Sequence, residues 1–358
     1  MKLHNTINGE ELKQRMQESK EHRTTISFYT YARIGNPEVF RDHLFYNWNP
    51  LGVCGRVYVA TEGVNAQLSL PTANLELFRE NLHQITFFRG MRLNYAVDDD
   101  GKSFYKLKIK VRDKILADGL NDETFDVTNS GVHLNAEDFN RLTERKDETI
   151  VIDMRNHYES EIGHMENAIT PDVDSFRDSL PVIGEMLEEH KGKNVVMYCT
   201  GGIRCEKASA WFKHLGHEKV FQLNGGIIEY SRQCKELNLP NKFVGKNFVF
   251  DERLAEKISD DVIANCHQCG KPCDAHTNCV NVGCNLLFIQ CPECAEKYEG
   301  CCSSDCQEII HLPEEKQKEL RKGNVAERRY FRKGRSEKLP FQHKATDGQP
   351  VFTHQLES

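Results

Sequence analysis

The absences in this sequence narrow it first. No apolar run approaches the roughly 20 residues that a membrane-spanning helix needs, so no membrane role is expected. The opening stretch, residues 1–8, lacks the apolar core of a secretory signal, which makes the cytoplasm the expected compartment. No flavin, haem or nicotinamide signature is present. What remains is a chain of 358 residues, 39% hydrophobic and 28% charged. That is the make-up of two or three globular domains.

Cysteine is the conspicuous surplus. Ten of the 14 lie between positions 266 and 306, and in a reducing compartment such crowding points to metal rather than disulfides. Cys266/Cys269 and Cys291/Cys294 are CxxC pairs, each offering two thiolates from one turn, as half of a tetrahedral zinc site does. Cys279, Cys284, Cys301, Cys302 and Cys306 supply candidates for a second site, with His267 or His276 as substitute ligands. Spacing leaves the partition open. Structural zinc is the expected occupant, with an iron–sulfur cluster or unligated redox thiols as the alternatives. So few apolar residues lie here that metal would supply much of the stability.

Charge is unevenly spread. The net charge is −7, yet residues 316–338 hold ten Lys or Arg against three acids, a local +7 that leaves −14 elsewhere. Within it Tyr330 and Phe331 stand among Arg328, Arg329 and Arg332. Aromatics interleaved with arginine suit stacking on unpaired bases beside phosphate contacts, while a solvated tail is the plainer reading. Lys106, Lys108 and Lys110 alternate onto one face of a strand, either a solvated face or a second phosphate-contacting surface. Disorder is expected from Pro340 onward.

Periodicity supplies the fold. Strands are expected over 25–31, 56–61, 65–70, 92–97 and 105–111, with helices over 37–48 and 72–84. Asn36 and Pro37 mark a helix start. The order βαββαβ with one extra strand is that of a ferredoxin-like domain. In the turn at 61–65, Glu62 and Asn65 are site candidates, while turn chemistry alone explains Gly63 and Asn65. Residues 112–132 read as a linker. Beyond it strands at 149–153, 195–198 and 219–223 alternate with helices, among them 175–180 and 183–190, implying a mostly parallel, helix-covered sheet. The expected class is therefore multidomain α/β and α+β. Its parts are a ferredoxin-like (acylphosphatase-like) domain over 1–120, an α/β domain over 121–245, a Cys-rich metal-binding segment over 246–312 and a basic helix and tail over 313–358.

The chemistry concentrates at residues 195–206. An apolar strand ends on Cys199, and Thr200, Gly201, Gly202 and Ile203 lead into a helix that carries Arg204 and Cys205. A cysteine there sits at the carboxyl end of a parallel sheet, where α/β folds place ligands. Inward-pointing loop amides, the helix N-terminus and Arg204 all favour a thiolate or persulfide anion. Cys199 is the expected nucleophile. Cys205, at the helix start, is expected to have a depressed pKa too; it either resolves an oxidised Cys199 as a disulfide or packs. Cys54 and Cys234 read as structural.

The run Val151-Ile-Asp-Met-Arg-Asn156 with Glu159, then Gly163-His164 and Ala168, the Cys199 loop, and Leu223-Asn-Gly-Gly-Ile227 together resemble the rhodanese domain. That resemblance implies a persulfide-competent Cys199, with Arg204 and the amides of 200–205 holding its charge. It also implies fold-stabilising roles for Asp153, Arg155 and His164. The longer string Cys199-Thr-Gly-Gly-Ile-Arg-Cys-Glu-Lys207, between this N-terminal domain and a Cys-rich tail, is similar to the bacterial rhodanese-domain tRNA uridine hydroxylases. It implies oxygen-dependent conversion of the wobble uridine of tRNA to 5-hydroxyuridine, with molecular oxygen as co-substrate and tRNA as partner. Composition and spacing alone reach only sulfur transfer. A sulfurtransferase carrying a persulfide on Cys199 and a zinc-stabilised RNA-binding module without catalysis are the alternatives.

Overall fold

The computed structural model describes residues 7–323, 332–333, 335–342 and 350–352. After helix α1 (Gly9–Glu18), the first domain runs β1 (Arg23–Tyr31), α2 (Pro37–Trp48), β2 (Cys54–Ala60), β3 (Gly63–Pro71), α3 (Leu75–Gln84), β4 (Asn94–Tyr95) and β5 (Leu107–Val111). The sheet order is β4-β1-β3-β2-β5, the expected ferredoxin-like arrangement with β5 added parallel to β2. Asn36 caps α2, its side chain accepting the Val39 N–H at 3.0 Å. Strand alternation sends Ile26, Phe28, Val57, Val59, Val64, Ala66, Leu68 and Leu107 into a core with Trp48 and Phe78 from the helices. The same alternation turns Ser27, Tyr29, Arg56, Tyr58, Asn65, Gln67, Lys106 and Lys108 onto the opposite face, where all eight line one cleft.

The second sheet has the order β17-β9-β7-β10-β11-β6. Its parallel strands are β6 (Val132–Leu134), β7 (Thr149–Asp153), β9 (Ile169–Pro171), β10 (Asn194–Tyr198) and β11 (Val220–Leu223). Helices α6 (Phe176–Glu189) and α7 (Ile203–His214) pack on one face. Helices α4 (Ala136–Thr143) and α8 (Gly226–Leu237) cover the other. A short helix α5 (His157–Ser160) and strand β8 (Gly163–Met165) follow β7. Two helices expected over 175–190 are a single one with Pro181 inside it. Its buried face, Phe176 and Leu180 before the proline and Ile183, Met186 and Leu187 after it, spans both turns. Packing thus outweighs the lost hydrogen bond.

Strands β12 (Phe243–Phe248) and β13 (Ala255–Lys257) join β8 in a small sheet. The Cys-rich segment follows as β14 (His276–Asn278), β15 (Leu286–Ile289), α9 (Pro292–Lys297) and α10 (Ser304–Ile310), and then comes α11 (Glu314–Gly323). Strand β16 (Arg332–Lys333) lies parallel to β15. The expectation of disorder from Pro340 is corrected in two places. The Phe341 N–H donates to the His267 carbonyl at 3.1 Å, and β17 (Pro350–Phe352) pairs with β9. Among the described residues no helix is long and apolar enough to cross a membrane.

Residues 112–131 contain no helix or strand, but they are not a loose tether. Ile115 and Asp118 are buried where the two domains meet. Lys207 of α7 is buried there as well, its ammonium 2.8 Å from Glu62 and 2.6 Å from Asp118. Glu62 also accepts the Ile115 N–H at 2.9 Å. One lysine of the second domain thus bridges a carboxylate of the first and one of the connection. Lys114 also reaches Asp118, at 2.7 Å, so removing Lys207 leaves that buried carboxylate with one cation instead of two and costs part of the roughly 3–5 kcal/mol that a wholly unpaired buried charge would. We therefore expect Lys207→Met to lower the unfolding temperature by calorimetry, and Lys207→Met with Asp118→Asn to recover part of the loss. An unchanged unfolding temperature would contradict the clamp.

Candidate active site

Cys199 ends β10 fully buried. Its sulfur accepts the Gly202 N–H at 3.2 Å, because Gly202 takes a left-handed φ of 102° as it enters α7. Burial alone would push the thiol up. The Cys205 thiol, the Arg204 charge and the N–H groups of Cys205 and Gly202 outweigh it and bring Cys199 down to about 5. The sulfur is thus a thiolate at neutral pH.

The expectation for Cys205 is overturned. Burial, its hydrogen bond to Cys199 and the Cys199 charge push its pKa well above the ordinary value. Two thiolates cannot share one amide nest, so the second thiol stays protonated and serves as a donor to the first. Arg204 also differs from expectation. Its guanidinium forms a bidentate pair with Glu159, at 2.6 and 2.8 Å, and reaches Thr200 Oγ1 at 3.4 Å. It therefore presents less than a full free charge to the sulfur.

The loop rests on the motif at 223–227. The Cys199 carbonyl accepts the Ile227 N–H at 3.0 Å, and a Cβ on Gly226 would lie 2.4 Å from that same oxygen. Only glycine fits. From the other side, the first domain roofs the loop. Asn94 donates to the Gly201 carbonyl at 3.2 Å, and the Tyr29 hydroxyl donates to Glu206 at 3.2 Å. Cys199, Thr200, Gly201, Ile203 and Arg204 line a cleft of about 830 Å³, and its far wall is the open face of the first sheet.

That wall is basic. Burial and the neighbouring charges of Lys106, Lys110 and Arg56 lower the pKa of Lys108, a sign of positive charge concentrated without compensating acids. Lys106 and Lys108 line the cleft, whereas Lys110 is not among its lining residues. Arg328, Arg329, Tyr330 and Phe331 lie outside the described residues, and Arg332 is described only as backbone in β16. Asp153 and Arg155 form a fully buried pair at 2.6 Å beneath the sheet end. His164 bonds the Met165 carbonyl through Nδ1 at 3.1 Å; both are placed for packing rather than chemistry. Cys54 and Cys234 have pKa values raised by burial, as inert thiols do.

Among the described residues the Cys-rich segment gathers two four-sulfur groups. They are Cys266, Cys269, Cys291 and Cys294, and Cys279, Cys284, Cys302 and Cys306, each with all sulfurs within 4.8 Å. Observed edges of 3.7 Å, Cys269–Cys291 and Cys302–Cys306 among them, match the edge of about 3.8 Å that a tetrahedron of 2.3 Å metal–sulfur bonds has. The two groups repeat one device: Cys291 N–H donates to Cys266 sulfur and Cys302 N–H to Cys279 sulfur, each at 3.4 Å. Cys301, one of the candidates, stands outside the second group. Its neighbour Cys302 joins the four sulfurs, and Cys301, fully buried, packs beside them with Leu286 and Phe288. His267 is no substitute ligand either, since its Nε2 lies 2.8 Å from Glu161 and its Nδ1 accepts the Ile289 N–H. His276 belongs to neither group.

Glu159, Lys207 and Asn94 carry functions that sequence reasoning did not assign. Glu159 stood within one quoted motif, six residues after Asp153, and Lys207 closed another, a usable signal for each; Asn94 gave none. The thiolate account predicts that alkylation of the Cys199 peptide, followed by mass spectrometry against pH, has its midpoint near 5. Cys205→Ala removes a donor, and the midpoint is expected to rise by about one unit, the effect of one hydrogen bond to a charged group. A wild-type midpoint near 8.5, the value of a free cysteine, would refute it.

Comparison with known proteins follows the same division of the chain. Family profiles match at residues 23–115 (UPF0176 acylphosphatase like domain), 135–233 (Rhodanese-like domain) and 244–307 (Rhodanase C-terminal). A tRNA uridine(34) hydroxylase of Leptospira interrogans is 55% identical over 93% of this chain and 90% of its own length. That of Photorhabdus laumondii is 55% identical over 97% of this chain and 96% of its own. That of Salmonella schwarzengrund is 56% identical over 93% and 95%. With identity at this level over nine-tenths or more of both chains, the chain belongs to the tRNA uridine(34) hydroxylase family.

Proposed function

We propose that this protein hydroxylates uridine 34, the wobble nucleotide of tRNA, to 5-hydroxyuridine with molecular oxygen as co-substrate, and that Cys199 is essential to the reaction. The observation that carries the reading is the near-full-length identity to tRNA uridine(34) hydroxylases. The geometry supports it at the level of substrate. The cleft that holds the Cys199 thiolate is walled by Arg56, Lys106, Lys108, Tyr58 and Tyr105, a combination suited to phosphates and to an unstacked base. An anticodon loop presents unpaired bases that enter such a cleft without melting a duplex. Lys110 and the basic stretch from α11 through Arg328, Arg329, Tyr330, Phe331 and Arg332 would extend the phosphate contacts, and the cytoplasm is where this substrate is met.

The chain's own residues supply the cradle. Gly202 and Cys205 amides and the Cys205 thiol hold negative charge on sulfur, and Arg204, fixed by Glu159, adds a cation that does not swing away. Tyr29 and Asn94 brace the loop from the side of the first domain. The same cradle would hold a sulfane sulfur, which keeps sulfurtransferase activity as the second reading; thiosulfate-dependent turnover with no change in tRNA would favour it.

We expect nucleoside mass spectrometry of tRNA from cells lacking this protein to show loss of 5-hydroxyuridine and its derivatives. Wild-type protein should restore them and Cys199→Ser should not. Full restoration by Cys199→Ser would contradict the role given to that sulfur.

For the two four-thiolate groups we propose structural zinc, since Cys₄ sets at these distances fit Zn²⁺ and the segment has little core of its own. When bound, the metal supplies cross-links between loops rather than chemistry. Elemental analysis should find two zinc ions per chain. Cys301→Ser should retain both and Cys302→Ser should retain one. Loss of a zinc ion from Cys301→Ser would overturn the assignment of the second group.

A further inference from the structure

Asn94 lies on β4 opposite Ser27, so it belongs to the open face of the first sheet, which looks across the cleft at the Cys199 loop. Its side chain is tethered at one end only. Nδ2 donates to the Gly201 carbonyl at 3.2 Å, and this contact sets the amide's orientation, because the reversed amide would place oxygen against oxygen. Oδ1 is then left with no hydrogen-bond partner although the residue is only 5% exposed. A buried acceptor without a donor is costly, and here the missing N–H or O–H has to come from outside the described side chains. Asn94 also lines both the cleft of about 830 Å³ and an adjoining cavity of about 510 Å³ that holds Arg89 and Arg92. It stands where the two cavities meet beside Gly201.

We propose that Asn94 Oδ1 accepts the N3–H of the target base and so makes the site selective for uridine over cytidine. The inference rests on the reading of tRNA uridine as substrate and adds to it a residue that discriminates. Uracil carries one ring donor on its pairing edge, N3–H, between two carbonyl acceptors. Cytosine has a bare lone pair at N3, which would face the Asn94 oxygen acceptor to acceptor. Because the Gly201 carbonyl holds the amide, Asn94 cannot turn over to offer its NH₂ instead. A site whose buried polar group is satisfied by one base and orphaned by another discriminates far better than a shape fit does. The tether also places recognition two residues from the nucleophile. A base read by Asn94 is held against the loop that carries Cys199, and the first domain thereby serves both as RNA platform and as base reader.

The test is equilibrium binding of the full-length protein, under argon, to fluorescent anticodon stem-loops that differ only at nucleotide 34: uridine, cytidine or 3-methyluridine. Wild type is expected to bind the uridine stem-loop about tenfold more tightly than either of the others, the ratio for one hydrogen bond lost near 1.4 kcal/mol. Asn94→Ala, which removes the acceptor, should bind all three nearly equally. A merely structural role in supporting Gly201 would weaken all three stem-loops together and leave their ratio unchanged. The 3-methyluridine comparison needs no variant, so the proposal stands or falls even if Asn94→Ala does not fold. Equal wild-type affinity for uridine and 3-methyluridine, or an unaltered uridine preference in Asn94→Ala, would overturn it. Hydroxylation of whole tRNA by wild type is read in parallel; its absence beside an intact uridine preference would fault the reaction and not the reader.

Discussion

A buried sulfur anion is the constraint around which this molecule is arranged. A thiolate without water is stable only where donors converge on it, and here the donors are backbone N–H groups of Gly202 and Cys205, the Cys205 thiol and the Arg204 cation. Each requires something elsewhere. The Gly202 amide points inward because its φ is positive. The loop can sit low because Gly226 has no side chain to meet the Cys199 carbonyl. Arg204 stays in place because Glu159, in the short helix α5 that follows β7, grips it with both oxygens. Strands β7, β10 and β11 bring these pieces to one edge of the sheet.

The first domain completes the site instead of merely flanking it. Period-two alternation in β1, β2, β3 and β5 sends apolar side chains to its helices and polar, aromatic and basic ones to the cleft. The Lys207 ammonium between Glu62 and Asp118 keeps that face over the Cys199 loop. The Cys-rich segment packs Cys266, Leu287 and Ile289 in one cluster with Tyr158, Ile162 and Phe248. The two four-sulfur groups therefore brace the floor near Glu159 and remain apart from the Cys199 sulfur.

Much of this was legible in the sequence wherever the signal is local. The strand–Cys–Gly-Gly–helix pattern at 195–206, the alternation of Lys106 and Lys108, the N-cap at Asn36 and the two CxxC pairs all encode their geometry within a few residues. What escaped depends on contacts between distant positions. Lys207 meets Glu62 across 145 positions, and Asn94 meets Gly201 across 107. The choice of Cys302 over Cys301 turns on which of two adjacent side chains faces the other sulfurs, which spacing does not encode. The misreading of Cys205 has a different cause. A helix N-terminus was credited to each thiol separately, whereas two acids sharing one set of donors titrate against each other. Pro181 misled in the familiar direction, since a buried face on both sides of it holds the helix together.

The central claim is that the nucleophile and the RNA surface are one site. It is tested most directly by the rate of Cys199 alkylation at neutral pH while an anticodon stem-loop containing uridine 34 is titrated in. The account predicts that labelling of Cys199 slows to a plateau, with a midpoint equal to the dissociation constant measured by anisotropy. Saturated binding with the Cys199 labelling rate unchanged would place the RNA elsewhere and contradict it.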